Sequence, residues 1–163
     1  ELAQLEHGLD LQAGELQILF SDEDVDKFTQ NDILAALLIP ALTGYIDKAN
    51  AEKVVAETRM VVMAIQTESS STYAKGVLSD TNKPSTDNIK ALAEVKGLDS
   101  TSSYKAEVST TGTVLAVQYN NGSFVCVYKD GAYTVKKDSA VAGTSSVEIK
   151  DTATIDAVSP SIV

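Results

Sequence analysis

Three turn dipeptides, Thr111-Gly112, Asn121-Gly122 and Asp130-Gly131, cut residues 104–136 into runs short enough to be strands and too short to be helices. From Tyr104 onward the apolar residues alternate with polar ones at a period of two. Counting outward from each turn sets a register. Tyr104, Ala106 and Val108 face Tyr119, Val117 and Leu115; Tyr119, Val117 and Leu115 face Phe124, Cys126 and Tyr128; Tyr128 and Cys126 face Tyr133 and Val135. The three turns agree on one apolar side, with Leu115, Val117, Phe124, Cys126 and Val135 inward. The other side holds Gln118, Thr134 and Lys136 together with Val125 and Val127. The pattern predicts a four-stranded antiparallel meander, followed by a short strand at Val147–Lys150.

Ahead of the strands the period is that of a helix. One helix is expected from about Asp22 to about Lys75, with Ser21 as its cap and Asp22, Glu23 and Asp24 in the first turn, where the helix dipole favours negative charge. Pro40 removes a backbone donor and crowds the preceding turn, so a kink is expected at Ile39–Pro40, and Gly44 weakens the next turn. Residues placed 100° apart after Pro40 give two apolar stripes. The first is Ala51, Val54, Val55, Thr58, Val61, Val62 and Ile65; the second is Leu42, Tyr45, Ile46, Ala49, Ala56, Met60, Met63 and Ala64. Lys48, Glu52 and Arg59 separate them. The sheet can bury one stripe; the other needs a different cover. Residues 66–84, rich in Ser, Thr, Asn and Lys, read as helix end and loop. A short helix follows Pro84, capped by Ser85, with Ile89, Leu92 and Val95 as its apolar face and Gly97 as its left-handed terminator. The fold class is α+β, a long helix laid on the apolar face of a meander with a short second helix between them.

Charge is unevenly placed. Residues 1–32 hold nine acidic residues and one lysine, a net −8 of the chain's −10. That charge repels nucleic-acid phosphates, and the absence of tryptophan removes the best stacking side chain, so no nucleic acid is expected as a partner. One cysteine excludes an internal disulfide and one histidine a multi-histidine metal site. There is no run of 18 apolar residues and no basic signal-peptide start, so nothing in the sequence as it stands spans a membrane.

The stretch Ile33-Leu34-Ala35-Ala36-Leu37-Leu38-Ile39-Pro40-Ala41-Leu42-Thr43-Gly44-Tyr45-Ile46-Asp47-Lys48-Ala49 resembles the second half of the N-terminal helix of type IV pilins, in which an Ile-Leu-Ala-Ala type segment leads through a proline into an amphipathic helix. Ala56-Glu57-Thr58-Arg59 and the order helix, loop, meander are also similar to that family, over roughly residues 33–140. The disulfide-free C-terminal part looks like that of pilins from Gram-positive anaerobes. The departure lies upstream. Where the family has a continuous apolar run with one glutamate, this chain has Asp26-Lys27-Phe28-Thr29-Gln30-Asn31-Asp32, and Phe28-Thr29 stands too close to Pro40 to be the family's mature start. Residues 1–32 are therefore expected to be a foreign, polar replacement, the alternative being a natural chain with an atypical acidic N-terminus. The pilin-like domain is 33–163, comprising helix 33–76, loop with short helix 77–102, meander 103–137 and C-terminal segment 138–163.

The resemblance implies a structural subunit of an extracellular, cell-surface type IV pilus used in adhesion, aggregation or twitching motility. Its partners would be copies of itself, the pilus assembly machinery and a host or cell-surface ligand. Membrane contact would come only through the natural N-terminal half of the helix, which this sequence lacks. The assembly interface is expected at Leu37, Ile39, Pro40, Leu42, Tyr45, Ile46, Ala49, Met60 and Met63. The alternatives are a pseudopilin of a type II secretion or DNA-uptake machine, and an independent extracellular binding module. No cofactor, metal or catalytic group is expected. Cys126 reads as core, Ser69-Ser70-Ser71 has no nearby histidine to act as base, and the acidic run from Asp22 to Asp26 lacks the glycine and distal glutamate of a calcium loop.

Overall fold

The structure, a computed structural model, describes residues 22–139 and 143–160, with side chains from Leu42 onward. The chain divides into two units, Glu1–Asp47 and Lys48–Val163. In the first, the backbone from Asp22 onward is helical, the start of helix α1, Asp22–Tyr73. The helical backbone continues through Pro40, Gly44 and the expected boundary at residue 33. The Ser21 cap, and the side chains around the expected kink at Ile39–Pro40, lie outside the described residues.

In the second unit, α1 is rich in β-branched residues that helices do not favour intrinsically. Burial decides in their favour. Val54, Val61 and Ile65 are fully buried, each worth about 1.5–3 kcal/mol, and Ala51, Val55 and Val62 are half-buried beside them. The first stripe is thus the core face. Thr58, also buried, satisfies its hydroxyl by donating to the Val54 carbonyl at 2.6 Å. The same back-bonding carries the helix through its hydroxyl-rich end, from Thr67 to Met63 O, Ser70 to Gln66 O and Thr72 to Glu68 O.

Helix α2, Thr86–Ala93, is capped by Ser85, whose hydroxyl accepts the Asn88 N–H. Its end differs from expectation. The left-handed residue is Glu94, φ 54°, directly after the last helical turn. Gly97 instead starts a separate turn, in which its carbonyl accepts the N–H groups of Ser100, Thr101 and Ser102. Ile89 and Ala93, one turn apart, are the buried pair of α2, whereas Leu92 is half exposed rather than part of the inward face.

The strands are β1 (Ser103–Val108), β2 (Val114–Asn120), β3 (Phe124–Lys129), β4 (Ala132–Lys137) and β5 (Ser146–Ile149). They lie in the order β4-β3-β2-β1-β5, with β5 parallel to β1 and the other pairs antiparallel. The sheet is therefore five-stranded and mixed rather than four-stranded: β1 to β4 pair antiparallel in chain order, and β5, close to the short strand expected at Val147–Lys150, joins it parallel to β1. The β3–β4 hairpin has the expected register, Tyr128 opposite Tyr133 and Cys126 opposite Val135. Asp130 and Gly131 both have positive φ, as a two-residue turn of this hand requires.

The β2–β3 hairpin is displaced by two residues, so that Tyr119 faces Cys126 and Val117 faces Tyr128. Gly122 has positive φ but Asn121 does not, so the tight turn does not form. The Asn121 side chain closes a wider loop by accepting the Ser123 and Phe124 N–H groups. A two-residue slip keeps every side chain on its original face. Between β1 and β2 the expected register holds from Tyr104–Tyr119 to Ala106–Val117, then a bulge between Glu107 and Val108 sets Val108 opposite Val114. Val114 packs against the core there, and Leu115, expected inward, is half-buried and outside the core cluster.

One cluster joins Val54, Val61 and Ile65 of α1, Ile89 and Ala93 of α2, and Tyr104, Val117, Tyr119, Phe124 and Cys126 of the sheet. Cys126 is fully buried and unpaired, and burial pushes its thiol up, away from the reactive thiolate. Cys126→Ser is expected to cost about 1–3 kcal/mol, read as a lowered denaturant midpoint at unchanged slope. An unchanged midpoint would contradict the packing.

Candidate assembly surface

In each unit taken by itself, second-stripe residues of α1 leave apolar side chains in solvent. In the first unit, Leu42, Tyr45 and Ile46 are 57%, 76% and 59% exposed. In the second, Met60 and Met63 are 44% and 70% exposed, and Ala49 and Ala56 are exposed with them. Ala64, assigned to this stripe from the wheel, is 4% exposed and belongs to the core. With Ala93 of α2 it lines one hollow beside the two helices. Leu37, Ile39 and Pro40 sit in the helical backbone, and their side chains are outside the described residues.

The structure adds a residue that the wheel could not supply. Leu92 of α2 meets Met60, Met63, Thr67 and Ala93 around an open hollow of about 230 Å³. Leu92 stands three residues after Ile89. In an eight-residue helix with Ile89 and Ala93 buried, the residue at i+3 sits at the edge of the covered face. Spacing alone marks it as core, yet half of it stays exposed. Two flexible thioethers and a leucine form the rim, a combination that adapts to an apolar partner. Glu94 is the charged residue at that rim.

A second hollow, about 510 Å³, lies along the other side of α1, between Ala51, Val55 and Arg59 and the β4 residues Tyr133 and Val135. The Arg59 guanidinium lies over the Tyr133 ring, 5.2 Å from its centre, and Tyr133 in turn meets Tyr128 at 5.1 Å between ring centres. Burial raises the Tyr133 hydroxyl.

The polar groups between helix and sheet are structural. Gln66 inserts its amide between two backbone groups of the β1–β2 turn, donating to Gly112 O at 2.9 Å and accepting from Val114 N at 3.1 Å. The Tyr119 hydroxyl donates to Glu57 at 3.1 Å, and burial pushes its pKa up to about 12. Among the described residues no group of three metal-ligating side chains comes together, and no helix is long and apolar enough to cross a membrane. Ser70, in the serine run, donates its hydroxyl to the Gln66 carbonyl. What the arrangement offers is an exposed apolar surface on two helices beside the helix–sheet core. No model of a known protein family, no curated protein and no solved structure matches this chain.

Proposed function

We propose that the protein is a structural subunit of a type IV pilus, polymerising through the second stripe of its long helix into a cell-surface filament. The observation that carries this reading is the division of labour on α1. One stripe is buried by the sheet, while large apolar side chains on the other, Met60 and Met63 above all, stay in solvent. Contiguous exposed apolar surface of this kind marks an interface more often than it is left idle. A helix face that meets a different face of the next copy makes a heterologous contact, and such contacts propagate when the rotation does not close. The Ile33–Ala49 resemblance to the pilin helix supports the same reading and names the kind of filament.

Ala49→Glu and Met60→Lys, placed separately in the natural gene, are expected to abolish surface filaments by burying an unpaired charge at the helix contact. Both positions are exposed in the lone subunit. The stability of the soluble domain should therefore change by no more than about 0.5 kcal/mol. Filament counts by electron microscopy and denaturation of the purified domain are the two measurements. Normal filaments in both variants would overturn the assignment of this face to assembly.

A further inference from the structure

The sheet is covered on both sides. On the face away from α1, Ala116, Val125 and Val127 are all less than 5% exposed. Residues 150–158, which belong to no strand, cross that face from β1 to β4. At the β1 side Glu107 accepts the Thr154 N–H at 2.7 Å, the Ile155 N–H at 3.0 Å and the Thr154 hydroxyl. At the β4 side the Val158 N–H donates to the Thr134 hydroxyl at 3.1 Å. Ala116 and Val127 lie between those anchors in the sheet register. Glu107 itself is 3% exposed, a buried carboxylate whose hydrogen-bond partners come from the segment it holds.

We propose that Glu107 is the latch of a releasable C-terminal strap: residues 151–158 leave the sheet as a unit when this carboxylate loses its charge, uncovering Ala116 and Val127 while the helix–sheet core stays folded. The inference does not rest on the filament reading. Beyond Lys150, whose N–H still meets the Val108 carbonyl at 2.9 Å, three of the strap's hydrogen bonds converge on the Glu107 side chain, and single contacts, Val158 to Thr134 and Asp156 to Lys129, hold the rest. A carboxylate accepting several N–H and O–H bonds is stable as the anion; once protonated it is itself a donor, and it faces the strap's donors with one acceptor too few.

The charges around Glu107 set the direction. Glu148 of β5 stands level with it in the parallel register, and Lys150 lies between the two, 3.8 Å from Glu107 and 3.2 Å from Glu148. Lys105 is two residues earlier on the same face of β1. Lys129 of β3 reaches Asp156 of the strap at 3.4 Å, and Asp151 is exposed at the strap's start. Burial works to raise the Glu107 carboxyl, but the Thr154 hydroxyl, the Ile155 and Thr154 N–H groups and Lys150 together hold it below its ordinary value. A carboxylate depressed by folding contributes stability above its unfolded pKa and loses it as pH falls through the folded one. The strap is therefore shut at neutral pH and opens in acid, below the ordinary glutamate range.

The test is hydrogen exchange of the full chain at neutral pH, read by mass spectrometry, comparing wild type with Glu107→Gln, which mimics the protonated latch, and Thr154→Val, which removes one donor. In Glu107→Gln the amides of residues 152–158 should exchange about tenfold faster or more, the equivalent of one pKa unit. Those of α1 from Val54 to Ile65, and of β2 and β3, should stay as slow as in wild type. Thr154→Val should show a smaller acceleration confined to the same segment. Wild type, brought to acid and corrected for the intrinsic rate, should reproduce the Glu107→Gln pattern. Unchanged strap protection in Glu107→Gln would overturn the latch. So would acceleration of strap, helix and sheet together in Thr154→Val or in acid, because the strap would then be part of the global fold.

Discussion

Gly112→Val should destabilise the domain by about 3 kcal/mol or more, enough to lower the thermal midpoint by many degrees. Three requirements meet at this residue. Its φ is +83°, where a β-branched side chain is strained. A Cβ there would stand 3.1 Å from the Ser69 carbonyl oxygen and 3.2 Å from the Tyr73 Cβ, atoms of a helix that cannot step aside cheaply. Its own carbonyl accepts the Gln66 amide, the bond that fixes the β1–β2 turn to α1. Gly112→Val thus adds strain and a clash and pulls the turn off its anchor. Gly131, also at positive φ but with nothing within 4 Å of an added Cβ, is the control. Gly131→Ala should carry the strain alone, about 1–2 kcal/mol. Equal losses at the two positions, measured by denaturant unfolding, would refute the close helix–turn contact.

Ile65→Ala is expected to cost about 2–5 kcal/mol, whereas Met63→Ala, two residues earlier on the same helix, should stay within about 0.5 kcal/mol. Ile65 is fully buried against the sheet, so its truncation leaves a cavity in addition to the lost burial. Met63 is 70% exposed and gives up little when shortened. Helix propensity works against the contrast, because isoleucine is the poorer helix former and gains more than methionine from replacement by alanine. Comparable losses at both positions would mean that the two stripes of α1 are not divided between core and surface.

Much of this fold can be read before any coordinates, because side-chain period and turn chemistry are local. The core stripe of α1, the Ser85 cap and the Asp130-Gly131 hairpin depend on residues within a turn or two of each other. The misjudged features have distant causes. The β2–β3 slip arises because the Asn121 side chain can close either a tight turn or a wider loop, and the neighbouring strands choose between them. Leu115 loses its inward place to Val114 through a bulge that no spacing signals. Ala64 and Leu92 trade roles, one buried and the other exposed, because the meeting of α1 and α2 is a tertiary contact that neither helix's own pattern contains. The strap is the least legible of all: two of its three hydrogen bonds to Glu107 are made by backbone N–H groups, which every residue but proline carries. On the candidate surface, the exposed α1 positions Met60 and Met63 are legible from helical spacing, and the α2 contribution is not.

The parallel pairing of β5 with β1 also orders events in time. Each hairpin partner is reached across a short turn, but β5 meets β1 forty-one residues further along the chain, as the bond from Tyr104 N–H to the Ser145 hydroxyl illustrates. Closing that longer loop costs more chain entropy, and β1 offers its open edge only once β2 holds its other side. During synthesis the ribosome also delivers β5 after the other strands, so docking of β5 is the natural final step of assembly, arriving on a template already made.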